Sequence, residues 1–472
     1  MTERMPKSVV IAALVLAPMA LMYLAYSRPD YFTSQTYLGG ILLVEFLVAA
    51  VWMYRQVFFP IVIVAFLFSG VNLPVGHFWA ALRWVFLGVG ALTGTFLMLK
   101  ERGYRFGIFH MVAAFAILAT LVSASVSQFK QVALLKAMSF ALLFLYGGTG
   151  VRLAVTGREN RFFAGLLSGA EIFVGAMAVL YALGIGAMGN PNSLGAVMGV
   201  VGAPILFWGV LLDEPALVHR RRWILFGLCM YLTFHSHARA GMAAALASCG
   251  LLCLAMRQYK IIIAGVVSVI VLTAAAGIIE PEATLNTFSA VEKSVIYKGA
   301  ISGNLLASRE SPWQAAIGSI QNHLWFGTGL GTAENANDPR RQTGMFSSST
   351  EVTTENGSSY LSVLSGVGVL GIIPFSLLLL LLAGKAVRTT AWLRKTGNIC
   401  HPAVPLAMVM VAGMIHAGFE DWLFAPGYHL CVMFWSLAFI LVDVTPSTVP
   451  HSGLTWTPGA AQRGFVDIAA SR

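Results

Sequence analysis

The groups that could do chemistry in this chain are a few arginines and one carboxylate, and they fall where apolar stretches begin or end. Arg239 lies in His235-Ser236-His237-Ala238-Arg239-Ala240-Gly241, a tight turn between two apolar runs. The N-terminus of the second run adds its positive dipole end to the guanidinium, which makes a good seat for a diphosphate. Arg309 stands in the longest polar interruption, within Ser308-Arg309-Glu310-Ser311-Pro312-Trp313. Glu355-Asn356 closes that interruption, just ahead of Gly357-Ser358-Ser359-Tyr360. A carboxylate and an amide there can accept a proton from a sugar hydroxyl and orient it. The dipole of the following helix favours an acid at the same place equally well.

Other polar groups carry two readings each. Asn190-Pro191-Asn192-Ser193 sits at a turn where Asn192 or Ser193 caps the next helix; capping alone accounts for it, and Asn190 and Asn192 are also candidate ligands. Arg83 and Lys136 lie in the outward portions of their apolar runs, with Lys130 just outside. Each can snorkel to headgroups; together they suggest an anionic ligand. His235 and His237 stand two residues apart with no third ligand at a metal-site spacing, so they read as hydrogen-bonding wall residues, and no metal or other cofactor is expected. Glu45 and Glu171 fall inside apolar runs, where they pair with a cation or form an ion path, the latter being the mark of a transporter.

The elements that must position these groups are membrane helices. Of 472 residues, 57% are hydrophobic and 11% charged, too little polar surface for a water-soluble globule of this length. The net charge of +10 is scattered in short clusters and forms no stripe of the kind nucleic acid needs. Fourteen runs are long enough to span, at about 8–26, 37–54, 57–75, 78–99, 107–127, 132–151, 162–186, 192–212, 222–236, 239–256, 260–279, 358–384, 402–418 and 427–443. Lysine and arginine cluster in alternate connections, at Arg4 and Lys7, Arg55, Lys100 to Arg105, Arg152 to Arg161, Arg220 to Arg222, Arg257 and Lys260, and Lys385 to Lys395. Those connections are the cytoplasmic face, and both termini belong to it.

The expected organisation is an all-α integral membrane protein: eleven helices over 1–279, a long outer loop over 280–357, three helices over 358–443, and a disordered cytoplasmic tail over 444–472. The run at 8–26 reads as an uncleaved first helix. None of the five cysteines falls in the outer loop, so a disulfide framework is not expected. Within the loop a helix begins with Ser311 as its cap and Pro312 at its first position, with Trp313, Ile317 and Ile320 on one face. It breaks at the glycine cluster 327–332, which follows a helix and so lacks the strand-to-helix context of a nucleotide fingerprint. Residues 334–354 read as a polar lid.

In this order and placement, Asn190-Pro191-Asn192, Ser236-His237-Ala238-Arg239-Ala240-Gly241, Ser308-Arg309 through Trp313 to the cluster at 327–332, and Glu355-Asn356 through Tyr360 to Gly371 resemble the bacterial O-antigen ligase and polysaccharide polymerase superfamily of membrane glycosyltransferases. The resemblance in detail covers about residues 185–375. It implies a GT-C-like helical fold in the bacterial inner membrane, with the loop periplasmic. It also implies an inverting, metal-independent transfer of glycan from an undecaprenyl-diphosphate carrier, with Arg239 and Arg309 holding the diphosphate. A flippase and a chain-length regulator of the same pathway are implied partners, alongside the lipid itself. Ligases of this group carry His before Asn where this chain has Glu355, which points to the polymerase branch. In a polymerase both substrates carry diphosphates, so Arg340 and Arg341 either serve a second carrier or are solvated loop charges. Glu420 and Asp421, beside Trp422, suit sugar binding or anchor the interface.

Overall fold

The structure, a computed structural model, describes residues 27, 58–71, 76–100, 106–186, 188, 190–212, 214–279, 307–332 and 357–446. The chain divides into units 1–58 and 59–472, and apart from Ser27 and Phe58 every described residue belongs to the second. The expected spans at 8–26 and 37–54, most of the tail, and the stretch 333–356 with Arg340, Arg341, Glu355 and Asn356 lie outside the described residues, as does Glu45.

The helices among the described residues are α1 (Phe58–Ser69), α2 (Gly76–Lys100), α3 (Ile108–Val126), α4 (Lys130–Val155), α5 (Glu159–Ala182), α6 (Pro191–Val210) and α7 (Ala216–His235). They continue with α8 (Arg239–Ala255), α9 (Tyr259–Ile279), α10 (Ala307–Asn322), α11 (Ser359–Thr396), α12 (Ala403–Ala417) and α13 (His429–Val444). Each expected span from residue 57 onward coincides with one of them. Six are long and apolar enough to cross a membrane, and shorter apolar helices accompany them. Among the described residues there is no strand, only an isolated bridge between Val71 and Met188. The chain is an all-α, multi-pass membrane protein.

Close backbone contact joins the first turns of α6 and α8. Gly195 and Gly199, four residues apart on α6, face Gly241 on α8: a Cβ on Gly199 would lie 2.2 Å from the Gly241 carbonyl oxygen, and one on Gly241 would lie 2.4 Å from that of Gly195. Small residues at this spacing let two helices approach with backbones touching, which is how helices associate where lipid removes the hydrophobic drive. Gly241→Val is therefore expected to lower thermal stability in detergent by about 1–3 kcal/mol or more, since the atoms in the way are main chain. Gly250→Ala, on the same helix with nothing within 4 Å of its added Cβ, should leave stability unchanged or slightly raised. Equal melting of the two variants would refute the account.

Helix α11 covers 38 residues in two parts, and the longer part, residues 369–396, is about 42 Å at 1.5 Å per residue against a hydrocarbon core of about 30 Å. It outruns the expected span because Lys385, Arg388, Arg394 and Lys395 end the membrane segment without ending the helix. Gly397, at φ +66°, ends it, its N–H donating to the Leu393 carbonyl at 2.8 Å. Near its other end α11 is broken at Gly368, also at φ +66°. A break orphans carbonyls before it and N–H groups after it. The turn that follows α10 supplies partners for both: Thr328 and Gly329 donate to the carbonyls of Ser365 and Gly366 at 3.0 and 2.8 Å, and Val369 and Leu370 donate to those of Leu324 and Trp325 at 2.9 and 3.1 Å. Gly327 and Gly368 permit this approach, since a Cβ on either would fall within 2.6 Å of the opposing backbone. Ser123 on α3 donates to Gly366 O at 2.9 Å, so the join is buried against the bundle. Irregular backbone in a membrane protein survives where its polar groups find partners inside the protein, as these four bonds provide.

At the opposite end of the bundle Arg152 pairs with Asp443 at 2.5 Å, and Trp208 donates to the Ile399 carbonyl at 2.8 Å. Arginines 220–222 are not in a connecting loop, as expected, but inside α7. Arg222 is buried, donating to Glu171 at 3.1 Å and to the Gly209 carbonyl at 3.0 Å. Arg221 holds the other Glu171 oxygen at 2.7 Å. Paired acids let the helix begin earlier than its apolar run.

Candidate functional site

Two turns named by the sequence meet through α6 and α8. Asn190 is the residue that caps α6, its side-chain oxygen accepting from the Asn192 N–H at 2.9 Å. The cap is thus earlier than Asn192 or Ser193, because Pro191 occupies the first helical position and the cap must precede it. One turn on, Gly195 lies against the second turn: a Cβ there would fall 2.2 Å from Ser236 Oγ and 2.3 Å from Ala238 Cβ. In that turn Ser236 Oγ accepts from the Ala238 N–H at 3.3 Å, and His237 takes φ +54° with its side chain exposed. The same left-handed conformation recurs at Arg257, between α8 and α9, so it belongs to the two-helix turn. Its effect is to make Arg239 the first residue of α8, half-buried at a helix N-terminus.

Arg309 comes from the other side. Helix α10 begins at Ala307, so Pro312 lies inside it and Arg309 in its first turn. This corrects the expected start at Ser311. Ala316 is the buried residue of this helix, while Ile317 is 47% exposed. The helix rests on α11. Arg309 forms an ion pair with Glu420, in the connection between α12 and α13, with side chains 17% and 25% exposed. Arg239 lies within electrostatic reach of both. Two guanidiniums against one carboxylate give this trio a net positive charge.

The acid's position is set by a residue that sequence reasoning did not single out. Ser359, fully buried in the first turn of α11, donates to the Glu420 carbonyl at 2.7 Å and accepts from the N–H groups of Trp422 and Leu423 at 3.1 and 3.0 Å. Trp422 in turn donates to His416 Nδ1 at 2.7 Å, with both side chains buried. Just ahead, Gly357 at φ +64° lies flat against Arg309 and Trp313; a Cβ there would be 3.2 Å from Arg309 Cδ and 3.3 Å from Trp313 Nε1. Any side chain at 357 would push on the arginine. The only sequence signal for this arrangement was the Gly-Ser-Ser run itself.

Arg83 and Lys136 are engaged by other groups near the connection between α12 and α13. Arg83 donates to Gly427 O at 2.7 Å and to Ser69 Oγ at 2.9 Å, with Trp84 and Phe66 under its guanidinium at 5.3 and 5.6 Å. Lys136 donates to the Gly331 carbonyl at 2.5 Å and feels Asp421. Both tie turns at this end of the bundle to the helices beneath them. His235 Nδ1 is paired with the Tyr181 hydroxyl at 2.7 Å, and its ring lies 6.1 Å from that of His237. Among the described residues no three His, Cys, Asp or Glu side chains group as a metal site requires, and all five cysteines are free.

What this end of the molecule can do is hold an anion between cations mounted on different elements, with an acid two residues ahead of Gly357 in sequence. Residues 224–376 match a family model described as O-antigen ligase. The matched stretch includes Arg239, Arg309, the glycine turn and Glu355, and stops short of Glu420. No curated protein matches the chain. Over residues 224–376, then, the chain is similar to the O-antigen ligase family, which supports the resemblance to the O-antigen ligase and polymerase superfamily.

Proposed function

We propose that this protein is a polymerase that joins undecaprenyl-diphosphate-linked oligosaccharide repeat units into exopolysaccharide or O-antigen, acting at the periplasmic face of the inner membrane with both termini cytoplasmic. The observation that carries the reading is the meeting of Arg239, at the N-terminus of α8, with the Arg309 to Glu420 pair brought by α10. In the reaction the acceptor hydroxyl oxygen bonds to the anomeric carbon as the bond from that carbon to the diphosphate oxygen breaks, inverting the centre. The hydroxyl proton passes to Glu355. The electron pair leaves with the lipid diphosphate, whose growing negative charge Arg239 and Arg309 stabilise without help from a metal. Arg309 is held by Glu420 before the substrate arrives, which keeps the guanidinium oriented and spares it an uncompensated charge in a half-buried place.

Glu355 favours a polymerase over a ligase, since the ligases of the resembled family carry histidine at that place. Deletion of the gene distinguishes the two: a polymerase mutant accumulates single lipid-linked repeat units, whereas a ligase mutant accumulates full-length polymer not attached to lipid A-core. The second outcome would overturn the assignment. Transport has no comparable support, because Glu171 is paired with Arg221 and Arg222 and Arg309 lies on a helix outside the apolar spans.

A further inference from the structure

Three large apolar side chains stand in the open where α10 ends: Leu324, Trp325 and Phe326 are 47%, 66% and 45% exposed. Main-chain bonds fix their place. The N–H groups of Val369 and Leu370, which in an unbroken α11 would reach the carbonyls of 365 and 366, reach those of Leu324 and Trp325 instead. The end of α10 therefore stands in for the missing turn at the head of the longer part of α11. Trp325 takes the place of residue 366, four before Leu370 and so on the same face.

That face is a stripe of exposed apolar residues. Leu370, Ile373, Leu377 and Leu380 recur three and four apart along it, the surface a membrane helix turns to lipid. Helix α3, which packs on α11, carries a second stripe in Phe115, Leu118, Val122 and Val126. It ends beside the same turn, where Ser127 Oγ donates to the Thr328 carbonyl at 2.5 Å. Two lengths then agree on where the hydrocarbon stops. At 1.5 Å per residue the level of Trp325 is about 29 Å from that of Lys385, and Ile108 is about 27 Å from Val126, against a core of about 30 Å.

We infer that Leu324-Trp325-Phe326 is seated at the boundary between the acyl chains and headgroups of the adjoining leaflet, so that the end of α10 is held by phospholipid as well as by its bonds to α11. A tryptophan at that depth keeps its ring in hydrocarbon and its indole N–H within reach of headgroups. Gln321, exposed about one turn earlier on α10, marks the part that stays in water. Lipid would hold this turn whatever reaction the protein carries out.

The test uses the full-length protein in nanodiscs of phosphatidylcholine brominated on its acyl chains near the headgroup, with iodide as the aqueous quencher. Trp325→Phe keeps an apolar ring in place, and the difference in emission between wild type and this variant belongs to Trp325 alone. That difference should lose most of its intensity to the brominated lipid and little to iodide. Leu324→Trp in the Trp325→Phe background should behave as Trp325 does, and Gln321→Trp in that background should show the reverse. Quenching at 324 and 325 by iodide, with indifference to bromine, overturns the inference because the patch then faces water. Indifference to both quenchers overturns it as well, since protein, a second copy of the chain or another partner, then covers the patch. Bromine quenching at 321 equal to that at 325 would reject the boundary placed at the turn.

Discussion

Arg239→Ala and Arg309→Ala should each abolish chain extension while the protein still inserts in the membrane. On the proposed reading each removes a donor to charge that develops only as the lipid diphosphate departs, and a single such donor is worth about 10²–10³ in rate. Neither arginine is a fold element of the first importance. Arg239 stands at a helix start, and Arg309 belongs to a helix outside the apolar spans whose join to the bundle is made by main-chain bonds at 324–329. Arg309→Ala does leave Glu420 without its partner, but that side chain is 25% exposed and water offsets part of the loss. Arg309→Lys should fall between, because it keeps the charge and loses the planar fork that grips two oxygens at once. The measurement is polymer length on gels of extracted polysaccharide, normalised to the amount of protein in the membrane. Normal length in both alanine variants would remove the arginines from the reaction.

The second large effect is at Glu355. Replacement by Gln should reduce the rate by about 10²–10⁴, the usual worth of a positioned base, whereas His should retain some activity because it can still take a proton. The two bases also predict different pH profiles. As pH is lowered, the His variant should lose activity at a higher pH than wild type, because an imidazole takes up a proton at higher pH than a carboxylate. A fully active Gln variant would exclude Glu355 as the base.

Helices were legible in the sequence because a bilayer demands long apolar runs. The ends were less so. Helix α7 reached back over three arginines since Glu171, Glu214 and the Gly209 carbonyl meet the buried one of them, and nothing in a hydropathy pattern announces such partners. The start of α10 was misplaced because Ser-Pro imitates a helix cap so well; a proline in an early turn of a helix costs little when the groups it disturbs lie near an open end. Arg239 and Arg309 were recognisable one by one. Their convergence on Glu420 was not, since it joins residues more than one hundred positions apart and depends on a serine, Ser359, whose three hydrogen bonds are all to backbone. Gly195 and Gly199 did carry a readable signal in their four-residue spacing. Only the structure supplies the partner, Gly241, that sits two residues beyond Arg239.

The join between the glycine turn and the break in α11 has a mechanical consequence. Because it is made of four main-chain hydrogen bonds, the helix carrying Arg309 and the first turns of α11 form a single chassis. Ser359 belongs to those first turns and grips the backbone of Glu420. Cation and counter-ion are thus bolted to one part, and a swing of the outer helix would carry both together. In the proposed reaction, release of Arg309 to an incoming phosphate then calls only for rotation about side-chain bonds, a motion of nanoseconds.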